Sequence, residues 1–139
     1  MSELTNSYLK TLKMTTNLGK LGLVLYWLTS VGAALLFAVP GCALLVKAEH
    51  FALEMTRLGY PGYFLLPFGL FKVVGAVTIL VPGLPRLKEW AYAGMVFDVA
   101  FAAYSRAAEN DPLPQVLFPL VIGTLVLASW ALRPVSRKL

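Results

Sequence analysis

Four apolar stretches, separated by short polar or glycine- and proline-containing segments, dominate the chain. The first covers 21–46 and carries no charged residue. The second, 63–81, is interrupted only by Lys72, the third, 90–105 or a little beyond, only by Asp98, and the fourth, 113–132, by none. These lengths approach or exceed the ~20 residues that a helix needs to cross hydrocarbon. Backbone surrounded by lipid must satisfy its own hydrogen bonds, so the pattern predicts helices rather than open strands. Pro40 is placed to kink the first helix, and Pro67 and Pro119 are read as lying in the first turns of theirs.

Between the first two runs, Phe51, Met55 and Leu58 recur at helical spacing, with Glu49, Glu54 and Arg57 among the other positions. Segment 48–58 is therefore expected to form a short interfacial helix. Gly59 is its stop, and Tyr60-Pro61-Gly62 turns the chain into the second run. In segment 1–20, Leu4, Tyr8 and Leu12 fall four apart, which leaves a surface helix and an unordered segment both open. The expected fold class is all-α, an integral membrane four-helix bundle with a short interfacial helix between the first and second transmembrane helices. It divides into a cytoplasmic segment 1–20, a membrane domain 21–134 and a cytoplasmic tail 135–139.

Composition supports lipid as the surrounding medium. Apolar residues make up 58% and charged residues 14% of the 139, against about 45–50% and about 25% in soluble domains. A soluble domain of this size lacks the interior to hide so much apolar surface. The net charge of +5 changes the picture only through its placement. Lys10, Lys13, Lys20, Arg86, Lys88, Arg133, Arg137 and Lys138 fall on one side of the four runs, and only Lys47, Arg57 and Arg106 on the other. Basic residues favour the cytoplasmic side. The expectation is a multi-pass protein of the inner (plasma) membrane with both termini cytoplasmic, and no nucleic acid is needed to explain the charge.

One cysteine, Cys42, and one histidine, His50, rule out an intrachain disulfide, a cysteine-based zinc site and a histidine cluster. No metal is expected. Cys42 reads as a small buried apolar residue and His50 as a solvated loop residue, while Thr29 and Ser30 should bond to backbone or to a neighbouring helix. The first run is longer than a signal core of about 7–15 residues and is read as retained. No nucleotide-binding glycine loop or Ser-His-Asp arrangement is visible.

The informative residues are the two charges inside apolar runs. Lys72 lies nine residues before Val81, and Asp98 eight after Trp90. At ~1.5 Å per residue these are depths of roughly 13 and 12 Å from the same end of adjacent antiparallel helices. A Lys72–Asp98 ion pair is therefore expected, since pairing offsets desolvation. Gly69, Gly75 and Ala76 flank Lys72 at helical spacing, and Gly94, Ala102 and Ser105 share the Asp98 face. Two readings stand together: an internal staple in a small-residue seam, or a polar site that binds a quinone, a carbonyl compound or a proton. Tyr104 and Ser105 are further candidates for such a site.

The sequence also resembles the DoxX-like family of small membrane proteins. The likeness is carried by Leu58-Gly59-Tyr60-Pro61, by Gly69-Leu70-Phe71-Lys72-Val73-Val74-Gly75-Ala76, and by Pro85-Arg86-Leu87-Lys88-Glu89-Trp90-Ala91-Tyr92-Ala93-Gly94. Phe97-Asp98, Ala103-Tyr104-Ser105 and Leu132-Arg133-Pro134 continue it, so that it covers roughly 25–134. The resemblance implies a four-helix bundle with an outer re-entrant or interfacial segment, and a link to redox complexes. The family often carries a lysine where Leu44 stands and a histidine where Arg106 stands.

From this follows a redox-associated subunit that binds a lipophilic small molecule, with quinone as the candidate ligand and Lys72, Asp98, Tyr104 and Ser105 as candidate contacts. In a second reading the chain is a membrane oxidoreductase or isomerase, with Asp98 as acid/base and Lys72 holding its charge. In a third it is a structural subunit of a larger membrane complex or homo-oligomer.

Overall fold

The apolar runs fold as long helices, and the computed structural model, which describes residues 1–138, contains no strand among them. Helix α1 spans Ser2–Leu45, α2 Glu49–Arg57, α3 Leu65–Leu80, α4 Pro85–Ala108 and α5 Leu113–Ala131. Short 3-10 turns at Gly62–Phe64 and Val135–Arg137 lead into α3 and follow α5. Helix α1 runs without a break through position 20, so segment 1–20 is helical and continues into the first apolar run. Its early threonines do not interrupt it, because the Thr5, Thr11, Thr15 and Thr16 hydroxyls donate to carbonyls one turn back. With 44 residues, α1 is about 66 Å long at ~1.5 Å per residue.

Three helices end in the same way. Lys47, Gly59 and Asn110 adopt positive φ of 52°, 83° and 58°. The next amide in each case donates to a carbonyl five residues back: Ala48 to Ala43 at 2.8 Å, Tyr60 to Met55 at 2.9 Å, and Asp111 to Arg106 at 3.0 Å. This left-handed close satisfies carbonyls that the helix leaves open. It also folds α2 back toward α3 without a long linker.

Helix α1 packs along α3 and α5, and α4 packs on α5 and, less extensively, on α3. Ala33, Ala34, Phe37, Ala76, Ile79, Tyr92, Met95, Val99 and Val126 form the buried core. Glycines set how near the helices come. A Cβ on Gly69 would sit 2.8 Å from the Gly41 carbonyl oxygen, and one on Gly41 would sit 2.9 Å from the Lys72 Cβ. Backbone therefore meets backbone where α1 crosses α3. On the other side, a Cβ on Gly123 of α5 would lie 3.0 Å from the Val99 side chain of α4.

Three stretches are long and apolar enough to cross a membrane: Ser2–Leu45, Gly62–Leu80 and Leu113–Ala131. They point to a lipid bilayer as the medium. Helix α4 is less apolar, because Arg86, Lys88, Glu89, Asp98 and Arg106 lie within it. Two expectations need correction. Pro119 lies inside α5 and is buried; Pro114 takes the first-turn place, because the helix begins at Leu113. Cys42 is exposed, since the packing face of α1 at that level is taken by Gly41 and Leu44.

Candidate functional site

Tyr60, Phe64, Phe68 and Lys72 follow one another at intervals of four, so they line one face through the start of α3. The Tyr60 and Phe64 rings stack at 5.4 Å, and those of Phe64 and Phe68 at 5.1 Å. The Lys72 ammonium ends the ladder, 4.6 Å from the Phe68 centroid and 4.9 Å from that of Phe37 on α1. Ring faces attract a cation, most of all where water is scarce. The same ammonium donates to the Asp98 carboxylate of α4. Little of either side chain is exposed, 15% for Lys72 and 12% for Asp98.

On α4, Asp98, Ala102 and Ser105 share a face, being four and three residues apart. Ser105 shares a hydrogen bond of 2.8 Å with the Tyr60 hydroxyl. Helices α3 and α4 are thus bridged at two levels, Tyr60–Ser105 and Lys72–Asp98. Beside these bridges runs a cleft of about 1290 Å³. Phe37, Phe68, Phe97 and Phe101 give it apolar walls, while Lys72 and Asp98, both half-buried, supply charged groups. Apolar walls with a few placed polar groups are the usual make-up of small-molecule sites.

Helix α2 covers one end. Its apolar side, with Phe51, Met55 and Leu58, lines the cleft. Its charged side reaches across to α4 and to the loop before α5. Arg57 donates to both Asp111 oxygens at 2.8 and 2.9 Å and also to Glu54. Arg106 donates to Asp111 at 3.0 Å and to Glu54 at 3.2 Å. Two guanidinium groups and two carboxylates therefore latch α2 over the cleft. The Arg57 hydrogen bonds hold the Glu54 and Asp111 carboxyls below their ordinary range, with Arg106 adding to the effect.

The opposite end is polar for a different reason. Lys88 is fully buried, and its ammonium donates to the Thr78, Ile79 and Val81 carbonyls at the end of α3. Ser129 is hydrogen-bonded at 2.7 Å to both Ser30 and Tyr92, which ties α5 to α1 and α4. Arg133 pairs with Glu89 and lies over the Tyr92 ring, and Arg137 donates to the Leu80 carbonyl. Apart from the Arg133 Nη1, which is buried without a hydrogen-bond partner, these groups meet protein partners, so this end works as a clasp.

Of the residues singled out in the sequence, Lys72, Asp98 and Ser105 come together along the α3–α4 seam. Tyr104 does not. It is 71% exposed and lies outside the cleft, because six helical residues from Asp98 turn it about 240° away at ~100° per residue. Thr29 bonds to the Leu25 carbonyl and Ser30 to Ser129 of α5, the two kinds of partner expected. His50 is helical in α2, exposed, and lies at the cleft margin. Leu44 is buried and lines the cleft, and Arg106 belongs to the latch. Sequence reasoning missed the aromatic ladder, although the spacing 60, 64, 68, 72 was there to read. It also missed the latch, whose partners lie more than fifty residues apart. Among the described residues no group of three or more His, Cys, Asp or Glu side chains is placed to hold a metal ion.

No curated protein and no solved structure matches the chain. A family model matches residues 28–129, which takes in the first apolar run from Leu28, both charged residues of the seam, the latch, and α5 as far as Ser129. By that match, over most of its length, the chain belongs to the DoxX-like family.

Proposed function

We propose that this protein is a redox-associated membrane subunit that binds a lipophilic small molecule, such as a quinone, in the cleft beside α3 and α4. In this reading α1, α3, α4 and α5 form a four-helix bundle across the plasma membrane. Both termini are cytoplasmic, as the basic residues at that end favour, and α2 lies at the outer interface. Lys72 and Asp98 form an intramembrane ion pair.

The observation that carries the proposal is the charged pair in the wall of an aromatic cleft. Intramembrane charges are costly and are held where they serve a ligand, an ion path or a partner. A pair needed only to fasten two helices gains nothing from standing beside about 1290 Å³ of open space. A quinone suits both parts of the site. Its ring and tail match the phenylalanine walls, and its carbonyl oxygens accept from the Lys72 ammonium, which has donors beyond the one given to Asp98.

The test is mass spectrometry of lipophilic molecules that co-purify with the protein from its native membrane. The wild type should retain a lipid-soluble carbonyl or phenol compound. Lys72→Met/Asp98→Leu, which removes both charges together and so keeps the fold, should lose it. Equal retention by the two proteins would contradict the proposal.

A further inference from the structure

We infer that the cleft selects an uncharged amphiphile, and that this molecule enters sideways from the hydrocarbon between α3 and α4. The inference rests on reading the cleft as a binding site, and it adds the charge of the ligand and its route.

The charge follows from the lining. Four formally charged side chains border the cleft: Lys72 and Asp98 in its wall, Glu54 on α2 and its partner Arg106 on α4. Each cation is paired with an anion, Lys72 with Asp98 and Arg106 with Glu54. The lining is balanced at both levels, so a permanent charge brought to either would meet no uncompensated opposite. It would still have to give up its hydration among phenylalanine rings. A hydroxyl or carbonyl head needs only a hydrogen bond, which Lys72 can donate.

The route follows from exposure. Phe71 of α3 and Trp90, Phe97 and Phe101 of α4 all border the cleft, yet they are 74%, 79%, 66% and 60% exposed. Their outer faces lie where hydrocarbon surrounds the helices, so the side of the cleft opens toward lipid. The end is covered, because α2 is latched across it by Arg57–Asp111 and Arg106–Glu54, with the Tyr60–Ser105 bridge beneath. Gly94 is placed to tune the side opening. It borders the cleft on α4, is exposed, and a Cβ there would meet nothing within 4 Å.

The experiment uses the full chain in phosphatidylcholine vesicles with three diazirine probes of equal chain length. One bears a terminal alcohol, one a sulfonate and one a trimethylammonium group. Labelling of the cleft residues Phe68 and Phe101 is read by peptide mass spectrometry against Leu35, an outward-facing residue of α1 outside the cleft. The alcohol should label the cleft at least about tenfold more than either charged probe, because a charge at such depth is costly.

Gly94→Phe, which fills the opening and suits a helix better than glycine, should abolish most alcohol labelling of the cleft. Gly94→Ala should not. Arg57→Ala/Asp111→Asn, which loosens α2 by cutting its link to the loop before α5 and leaves Arg106–Glu54 in place, should leave labelling unchanged. Asp98→Asn leaves Lys72 uncompensated and should admit the sulfonate. Charged probes that label the wild-type cleft as well as the alcohol would overturn the selectivity. Undiminished labelling in Gly94→Phe, or labelling restored to it by adding Arg57→Ala/Asp111→Asn, would overturn the route. If none of the probes labels the cleft above Leu35, the binding-site reading fails and this inference falls with it.

Discussion

Against α1, helix α3 closes until Gly69 meets the Gly41 carbonyl, whereas against α4 it packs less extensively and is joined by the Tyr60–Ser105 and Lys72–Asp98 bridges and, at its far end, by Lys88. The two seams sit on one helix, so the difference comes from the residues that face each way. In lipid the hydrophobic effect does not drive helices together, and a seam closes where small residues allow backbone contact. Gly41 and Gly69 provide that on one side. On the other, Phe64, Phe68, Phe97 and Phe101 line the cleft, and polar links join the helices beside it. A tight seam fixes the position of α3; a bridged one leaves the cleft open beside it.

The strongest way to break the contrast is to remove one charge from the bridged seam. Lys72→Met should destabilise the protein by about 3–5 kcal/mol, because Asp98 is left without its partner. Lys72→Met/Asp98→Leu should recover most of that loss. Reversible unfolding in mixed micelles measures both, and a double variant as unstable as the single one would show that the ion pair itself holds the seam.

Overfilling the tight seam comes next. Gly69→Leu should cost about 1–3 kcal/mol by forcing α1 and α3 apart, measured in the same way. The second bridge is weaker. Tyr60→Phe, which removes one hydroxyl of the Tyr60–Ser105 link, should cost about 0.5–1.5 kcal/mol and leave the Lys72–Asp98 contact in place. Double-variant analysis with Lys72→Met can tell whether the two bridges act independently.

The latch over the cleft responds to pH. Its carboxyls, Glu54 and Asp111, are held below their ordinary range by Arg57 and, secondarily, Arg106. A carboxyl lowered in the folded state contributes stability that is fully present above its unfolded pKa and lost as pH falls through the folded value. Unfolded carboxyls titrate near about 4, so α2 should stay latched from neutral pH down to that range and come free below it. A nitroxide on Thr56→Cys, in a Cys42→Ala background, should gain mobility only under those acidic conditions. In Glu54→Gln/Asp111→Asn, which neutralises both carboxyls, it should already be mobile at neutral pH.

Much of this arrangement could be read from the sequence, and what could not has definite causes. Lys72 and Asp98 stood out because a charge inside an apolar run has few innocent explanations, and equal depth placed them together. Gly59 was legible as a helix end because glycine suits positive φ, but Lys47 and Asn110 end α1 and α4 in the same conformation without that signal. Lys88 counted as a basic loop residue, yet it lies within α4 and is buried against the last carbonyls of α3. Its sequence neighbours give no sign of that cap. The latch was hidden because Arg57 and Arg106 find their acids by tertiary packing, not by helical spacing alone. The length of α1 was hidden too, since hydropathy marks where lipid could begin but not where a helix begins.

Calorimetric titration of the detergent-solubilised protein with a short-chain benzoquinone tests the central claim most directly. Binding to the wild type should be saturable and one-to-one, and should be lost in Lys72→Met/Asp98→Leu, with both proteins folded. Identical binding curves for the two would contradict it, and so would a wild type that shows no saturation.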